Sequence, residues 1–251
     1  MGKRSAKLSF TTELRGSGTA GTPPDHGILF KACALAETIV GGASVTYKPA
    51  SDKSTFTRAC ITVYLDGLRI MYLGCMGTFT IELPLDGVPV VNWEFTAADF
   101  VVTDAALVAG SAYQAAVPAP VMVTGFSFAG FNFDIARLTL ALNNTVALRQ
   151  SANVPGGHIN ALVTGRAPSG SFDPEAVLKA TKDLFADWEG GSQVALAAVV
   201  GSAAGNICTL TAPKCQYSDA GFGDREGLLT YEAPFVMNRN TGDDELSIAY
   251  T

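Results

Sequence analysis

The stretch "RGSGTAGTPPDHGILFKA", residues 15 to 32, spells G-x-G-x-x-G with Gly16, Gly18 and Gly21. Between a strand and a helix, such a string can fold the backbone around a pyrophosphate and aim a helix N-terminus at it. "LSFTTEL" before it reads as a strand and "ILFKA" after it as a helix. Three features argue against a dinucleotide site. The helix start is delayed past Pro23-Pro24, no acidic residue closes a second strand about 20 residues on, and the neighbouring patterns are antiparallel hairpins, not β–α–β units. The glycines are expected to serve a flexible or tightly turned loop, and no cofactor is expected.

The other residue types capable of chemistry are sparse. His26 and His158 are the only histidines, each beside a glycine, and both read as loop residues. "SDAGFGDREG" brings Asp219, Asp224 and Glu226 close in sequence. Carboxylates of this kind suit a hard cation, but the spacing of a calcium loop is missing, so a solvated hairpin tip and no metal are expected. Ser17 and Thr19 have no histidine–acid pair nearby to activate them. The cysteines, Cys33, Cys60, Cys75, Cys208 and Cys215, are odd in number and contain no C-x-x-C. They read as small buried apolar residues in a reducing compartment, with Cys208 and Cys215 on adjacent strands. No nucleophile, base and orienting group assemble, so no catalytic residues are assigned and no enzyme is expected.

The elements that would carry these residues are mostly strands. "ITVYLDGLRIMYL" reads as a hairpin turned at Asp66-Gly67, because the two-residue turn needs positive φ, which Gly adopts freely and Asp tolerates. Its pairing puts Leu65 with Leu68, Val63 with Ile70 and Ile61 with Tyr72 on one wholly apolar face. "TFTIEL" and "VNWEF" alternate Phe79, Ile81, Leu83 and Val91, Trp93, Phe95 against polar residues, with "PLDGVP" as the turn between them. Further hairpins are expected at Ala129-Gly130 and Asn143-Asn144, and later strands at "QVALAAVV", "NICTLTA" and "LLTYEAPFVM". Two helices stand out. One covers about 174–189, with Asp173 as N-cap, Pro174 in the first turn and Gly190-Gly191 as the stop. The weaker covers about 25–40, with Ile28, Leu29, Ala32, Leu35, Ala36 and Ile39 on one face.

Composition sets limits on function. The 251 residues carry 17 basic and 23 acidic groups, a net charge of −6, and only 16 % are charged. Soluble domains usually carry roughly 25 %, so part of the surface is expected to be buried against other chains. No basic stripe exists to grip phosphates. No apolar run approaches the roughly 18 residues of a membrane helix, no secretory signal core opens the chain, and no membrane contact is expected.

The halves resemble each other. "ILFKA" at 28–32 parallels "AVLKA" at 176–180, each after a strand and a Gly/Pro/Ser loop. "VVNWEF" parallels "LLTYEA", placing Trp93 over Tyr231 and Glu94 over Glu232. A longer loop near "GGASVTYKPASDKST" accounts for the slip in offset. Two units are expected, 1–117 and 118–251, joined by the Ala/Pro-rich segment 103–121.

Three stretches carry a wider likeness: "FTTELRGSGTAGTPPDHGILFKACAL", "GSFDPEAVLKATKDLFADWEGG" and "LTAPKCQYSDAGFGDREGLLTYEAPFVMNRNTGDDELSI". With them the chain resembles the major tail tube proteins of tailed bacteriophages over nearly its whole length. The resemblance implies a mainly β fold of tail-tube-type antiparallel β-sandwich or barrel units with flanking short α-helices, here two tandem related units. It implies a structural virion protein assembled in the host cytoplasm into stacked rings, through which DNA passes without specific binding. The implied partners are copies of itself, a tape measure protein, and tail tip and head–tail completion proteins. Tubes of this family usually close with sixfold symmetry from single-unit chains, so two units per chain imply a trimeric ring with pseudo-sixfold symmetry. Glu82, Glu94 and Glu232 are the candidates for a phosphate-repelling lumen. Loops around 40–57 or 98–120 are expected to reach the next ring. The alternatives are a β-sandwich binding module of a virion or surface, or an enzyme using the GSGTAG loop.

Overall fold

Period-two alternation governs most of the chain, and burying one side of each alternating run is what drives these residues into strands. The computed structural model describes residues 2–85, 87–110, 116–118 and 123–251. Its first half contains β1 (Ala6–Glu13), α1 (Gly27–Ala32), β2 (Leu35–Val40), β3 (Ser44–Pro49), β4 (Ala59–Leu65), β5 (Leu68–Pro84), β6 (Val90–Ala97) and β7 (Asp99–Asp104). The second half contains β8 (Val123–Phe128), β9 (Ile135–Ala141), β10 (Asn144–Gln150), β11 (His158–Arg166), β12 (Ser169–Pro174) and α2 (Leu184–Glu189). It ends with β13 (Val194–Val200), β14 (Cys208–Tyr217), β15 (Gly221–Arg225), β16 (Leu228–Asn238) and β17 (Ser247–Tyr250). The fold is mainly β and antiparallel, as expected.

Among the described residues fifteen strands join one hydrogen-bonded sheet, ten of them along the path β1-β6-β5-β9-β12-β16-β14-β17-β3-β2 and β4, β7, β8, β13 and β15 branching from it. Strands of the second half occupy its middle, and strands of the first half both ends. The row Phe10, Trp93, Phe79 faces inward, as do Ile81, Leu140, Phe235 and Tyr217. Two aromatic clusters fill this core. Phe30 packs edge-on against Phe79 and Trp93 at 5.1 and 5.0 Å between ring centres. Phe128 lies 4.8 Å from Phe172 and 5.2 Å from Phe235. A smaller core, Met76 with Ala161 and Val163, forms where the separate β10–β11 hairpin covers one end of the sheet's other face.

The Asp66-Gly67 hairpin forms in the expected register, with φ of +39° and +84° at its turn. β5 runs for 17 residues and bulges at Gly74 (φ +63°), where Leu73 and Gly74 lie opposite the single Cys60 of β4. Ala129-Gly130 turns as expected, and Phe128 and Phe131 exchange both backbone hydrogen bonds. "PLDGVP" joins β5 to β6, although Asp86 lies outside the described residues.

Several expectations are corrected. The helix at about 25–40 stops at Ala32, because Ala34 takes φ +62° and Thr38, Ile39 and Val40 pair with β3 as strand β2. The helix at about 174–189 shrinks to α2. Asp183, not Asp173, caps it, accepting a hydrogen bond from the Ala186 N–H at 3.0 Å. Asp173 belongs to β12, where its carboxylate accepts from the backbone N–H of Ala136 and Arg137 and pairs with Arg225. "AVLKA" at 176–180 is thus not helical, unlike "ILFKA". Asn143-Asn144 is a corner, not a hairpin: β9 pairs with β5 and β12, while β10 crosses to pair with β11. The Asn144 amide donates to the carbonyls of Cys33 and Gly77, pinning that crossing. The irregular stretches expected at 40–57 and 98–120 contain β3 and β7. Of the linker at 103–121, residues 111–115 and 119–121 lie outside the described residues; at 116–118, Arg15 donates to the Ala116 carbonyl and Asn206 to that of Val117.

Candidate functional site

The glycine string is employed in packing. Its strand β1 is antiparallel to β6, and five residues separate Gly21 from Gly27, where α1 starts. Gly18 and Gly21 have φ of +81° and +72°. A Cβ on Gly16 would overlap the Gly205 carbonyl oxygen, and one on Gly21 the Val40–Gly42 turn. The Gly16 N–H donates to Asn206 Oδ1 at 2.7 Å and the Gly18 N–H to the Gly205 oxygen at 3.0 Å. The loop is tightly turned and locked onto a second loop.

His26 lies in the loop leading into α1, as expected, but is buried, whereas His158 belongs to a strand. His26 is 7 % exposed, its ring set among Phe30, Trp93 and Tyr250, with Nε2 sharing a 2.9 Å hydrogen bond with the Tyr250 hydroxyl. Burial, aided by the nearby Arg15 charge, lowers its pKa to about 4. His158 opens β11 at 8 % exposure, and its Nδ1 donates to the Arg4 carbonyl at 2.8 Å. Asp224 and Glu226 sit at the β15–β16 tip, where Glu226 and Gly227 turn the chain with φ of +53° and +87°. The Asp224 carboxylate accepts from the Gly227 N–H, and that of Asp219 from the Ala220 N–H. These carboxylates shape a hairpin, as expected of a solvated tip. Cys208 and Cys215 lie on one strand, β14, rather than on two. Four cysteines are buried and Cys60 is exposed. Burial pushes the Cys208 thiol up to about 12, far from reactive thiolate.

The densest ionic cluster is one the sequence reading missed. Arg166, at the end of β11, bonds Asp243 at 2.6 Å and Glu245 at 3.0 Å. Arg239 reaches Glu245 at 3.2 Å, and Ser51 donates its backbone N–H and its hydroxyl to Asp243. Glu245 is 2 % exposed, a position a carboxylate holds only when paired. The cluster ties loop 50–54 to the approach of β17. Its trace in the sequence was the acidic run Asp243-Asp244-Glu245 with Arg239 close before it, while the central partner, Arg166, comes from a distant strand.

The most extended surface is the sheet face opposite the core. Thr11, Asn92, Thr80, Ala141, Ser169, Val236 and Gln216 form one row across β1, β6, β5, β9, β12, β16 and β14. The adjoining row is Glu13, Val90, Glu82, Thr139, Ser171 and Pro234. Ser9, Glu94 and Thr78 begin a third. All three candidate glutamates lie on this face: Glu82 half-buried on β5, Glu94 exposed on β6, Glu232 exposed on β16 beyond the β12 pairing. Thr11 donates to Asn92 Oδ1 at 2.7 Å, and Asn92 Nδ2 to Glu82 Oε1 at 2.9 Å, so part of the surface is already crosslinked by its own amides. Hydroxyls and amides outnumber charges here, which makes this face more neutral than its glutamates alone suggest.

The molecule is thus a mainly β protein built on one large sheet, with one face closed over aromatics and the other hydroxyl- and amide-rich, covered at one end by the β10–β11 hairpin. Residues 1–237 match the family described as phage tail tube protein, and the chain belongs to that family. None of the curated proteins matches it. Membership makes the chain a structural component of a phage tail.

Proposed function

We propose that this chain assembles into rings that stack as the tail tube and conduct DNA into the host, with the polar sheet face as the wall of the lumen. The protein does no catalysis; its partners are its own copies, the tape measure protein and the tail tip and head–tail completion proteins. The ring is a trimer with pseudo-sixfold symmetry.

The observation that carries the trimer is a recurring strand trio. In the sheet β1-β6-β5, the strand latest in sequence lies between the two earlier ones, and β12-β16-β14 repeats that order. The first trio contributes Phe10, Trp93 and Phe79 to one aromatic cluster, the second Phe172, Phe235 and Tyr217 to the other. A short helix follows the first strand of each. Units divided at 117/118 fit this recurrence, and β9 bridges the two trios into one wall. Two wall-forming trios per chain give six units from three chains. Three-dimensional reconstruction of purified tubes tests this. Three chains per ring with the Thr80 row inward is the expected result; six chains per ring with one trio outside the wall would overturn it.

A further inference from the structure

The hairpin turned at Asp66-Gly67 has an apolar face that the chain itself leaves open. Pairing across β4, β5 and β7 places Val63, Leu65, Leu68, Ile70 and Val102 on that face. Its base, Ile61 and Tyr72, rests against the main core. Its outer part does not: Leu65, Leu68 and Val102 are 55, 41 and 48 % exposed. A second apolar patch sits on the β15–β16 hairpin. Phe222, Leu229 and Tyr231 share one of its faces. Phe185 of α2 packs at 5.4 Å from Phe222 and 5.8 Å from Tyr231, yet Phe222 and Leu229 stay 61 and 57 % exposed. The Ala176 N–H donates to the Leu229 carbonyl, which brings the 79 % exposed Leu178 to the same region.

The two patches lie at opposite ends of the sheet. β5 is antiparallel to β9, β9 to β12 and β12 to β16, so β5 and β16 run in opposite directions. Each patch is built on the N-terminal part of its strand. Leu68 precedes the Thr80 row by about 40 Å of strand, and Leu229 precedes the same row by about 23 Å on the other side. A twofold dimer covers both patches only if two copies lie side by side in antiparallel, which closes the assembly at two chains. Both can instead be satisfied head to tail, each copy giving one patch and receiving the other, and such contacts propagate without closing. Charge agrees: Asp66 is at the arm's turn, Asp104 lies opposite Leu68 on its face, and Lys179, which pairs with Asp183 at 3.1 Å while its side chain stays 82 % exposed, stands beside Leu178. Asp224, on the patch face, is turned to its own hairpin.

We propose that the β4–β5–β7 arm of one copy seats its apolar face on the Phe222–Leu229 patch of the next copy along the tube axis. This deepens the tube reading and rests on it. The test uses the full chain in three forms: wild type, Leu65→Glu with Leu68→Glu, and Phe222→Glu with Leu229→Glu. Electron microscopy should show wild-type tubes, with mean tube length at least tenfold shorter in both variants while rings persist. A second arm does not depend on how the charged variants fold. In a Cys60→Ser background, Leu65→Cys and Leu229→Cys chains are mixed, assembled and treated with a short bis-maleimide. A cross-linked dimer should form in the mixture and in neither chain alone. Wild-type tubes without that cross-link, or tubes of normal length from folded charged variants, overturn this contact and leave the tube reading standing. A wild-type chain that forms neither rings nor tubes overturns both.

Discussion

His26 gives a stability signature readable in solution. Its pKa is lowered to about 4 in the folded protein, first by burial and then by Arg15, whereas an unfolded histidine titrates near 6.5. Between those values the unfolded chain binds a proton that the folded chain refuses, so stability is full above pH 6.5 and declines as pH falls towards 4. The loss should reach about 3 kcal/mol at pH 4. His26→Phe should flatten the slope between pH 6.5 and 5 in urea unfolding; an unchanged slope would place the proton elsewhere. At the glycine string, Gly16→Ala should cost about 1–3 kcal/mol, because the new methyl meets backbone rather than a yielding side chain. Thermal unfolding of that variant measures it. Arg166→Ala leaves the buried Glu245 with Arg239 alone, and the loss should approach the lower end of the roughly 3–5 kcal/mol seen when buried pairs are broken. Residues of this kind are the least legible from sequence. His26 next to Gly27 looks like loop until the fold closes aromatics around it, and nothing near Arg166 in the chain announces partners 77 and 79 positions away.

At the scale of elements, local chemistry wins where it is unopposed and loses where a neighbour offers a better arrangement. The Asp66-Gly67 turn and the alternation of Phe79, Ile81 and Leu83 were legible because positive φ and one-sided burial are written in adjacent residues. The helices were overextended because apolar spacing in Leu35, Ala36 and Ile39 fits either period, and the choice belonged to β3 lying alongside. Asp173 has the side chain of a cap, but the Ala136 and Arg137 N–H groups claim it. The two aspartates should therefore separate experimentally. Asp183→Ala removes one cap bond and should cost about 1 kcal/mol. Asp173→Ala strands two backbone donors and leaves Arg225 with Glu175 as its one remaining carboxylate, and should cost more than Asp183→Ala in the same denaturant series. Equal losses would return Asp173 to the role of helix cap.

At the scale of the whole molecule, the polar face was only half legible. The side on which Glu82, Glu94 and Glu232 lie follows from alternation, but the long hydroxyl and amide rows around them arise from seven strands meeting in register, which no single stretch encodes. If this face is the lumen, its near-neutrality keeps phosphates moving, and added positive charge should arrest them. Tubes of the Glu82→Lys, Glu94→Lys variant should retain double-stranded DNA at low salt in a sedimentation assay, while wild-type tubes release it; equal retention would remove this face from the lumen. The placement of first-half strands at both ends of the sheet has a bearing on synthesis. Tyr47 on β3 has Ile248 on β17 as its partner, some 200 residues downstream. At ribosomal rates of about 5–20 residues per second, that partner emerges about 10–40 s after Tyr47 does. Until then one flank of β3 lacks its β17 partner, and the nascent chain cannot complete its sheet. If the chain polymerises as proposed, a growing tube draws on copies in which β17 has already paired with β3.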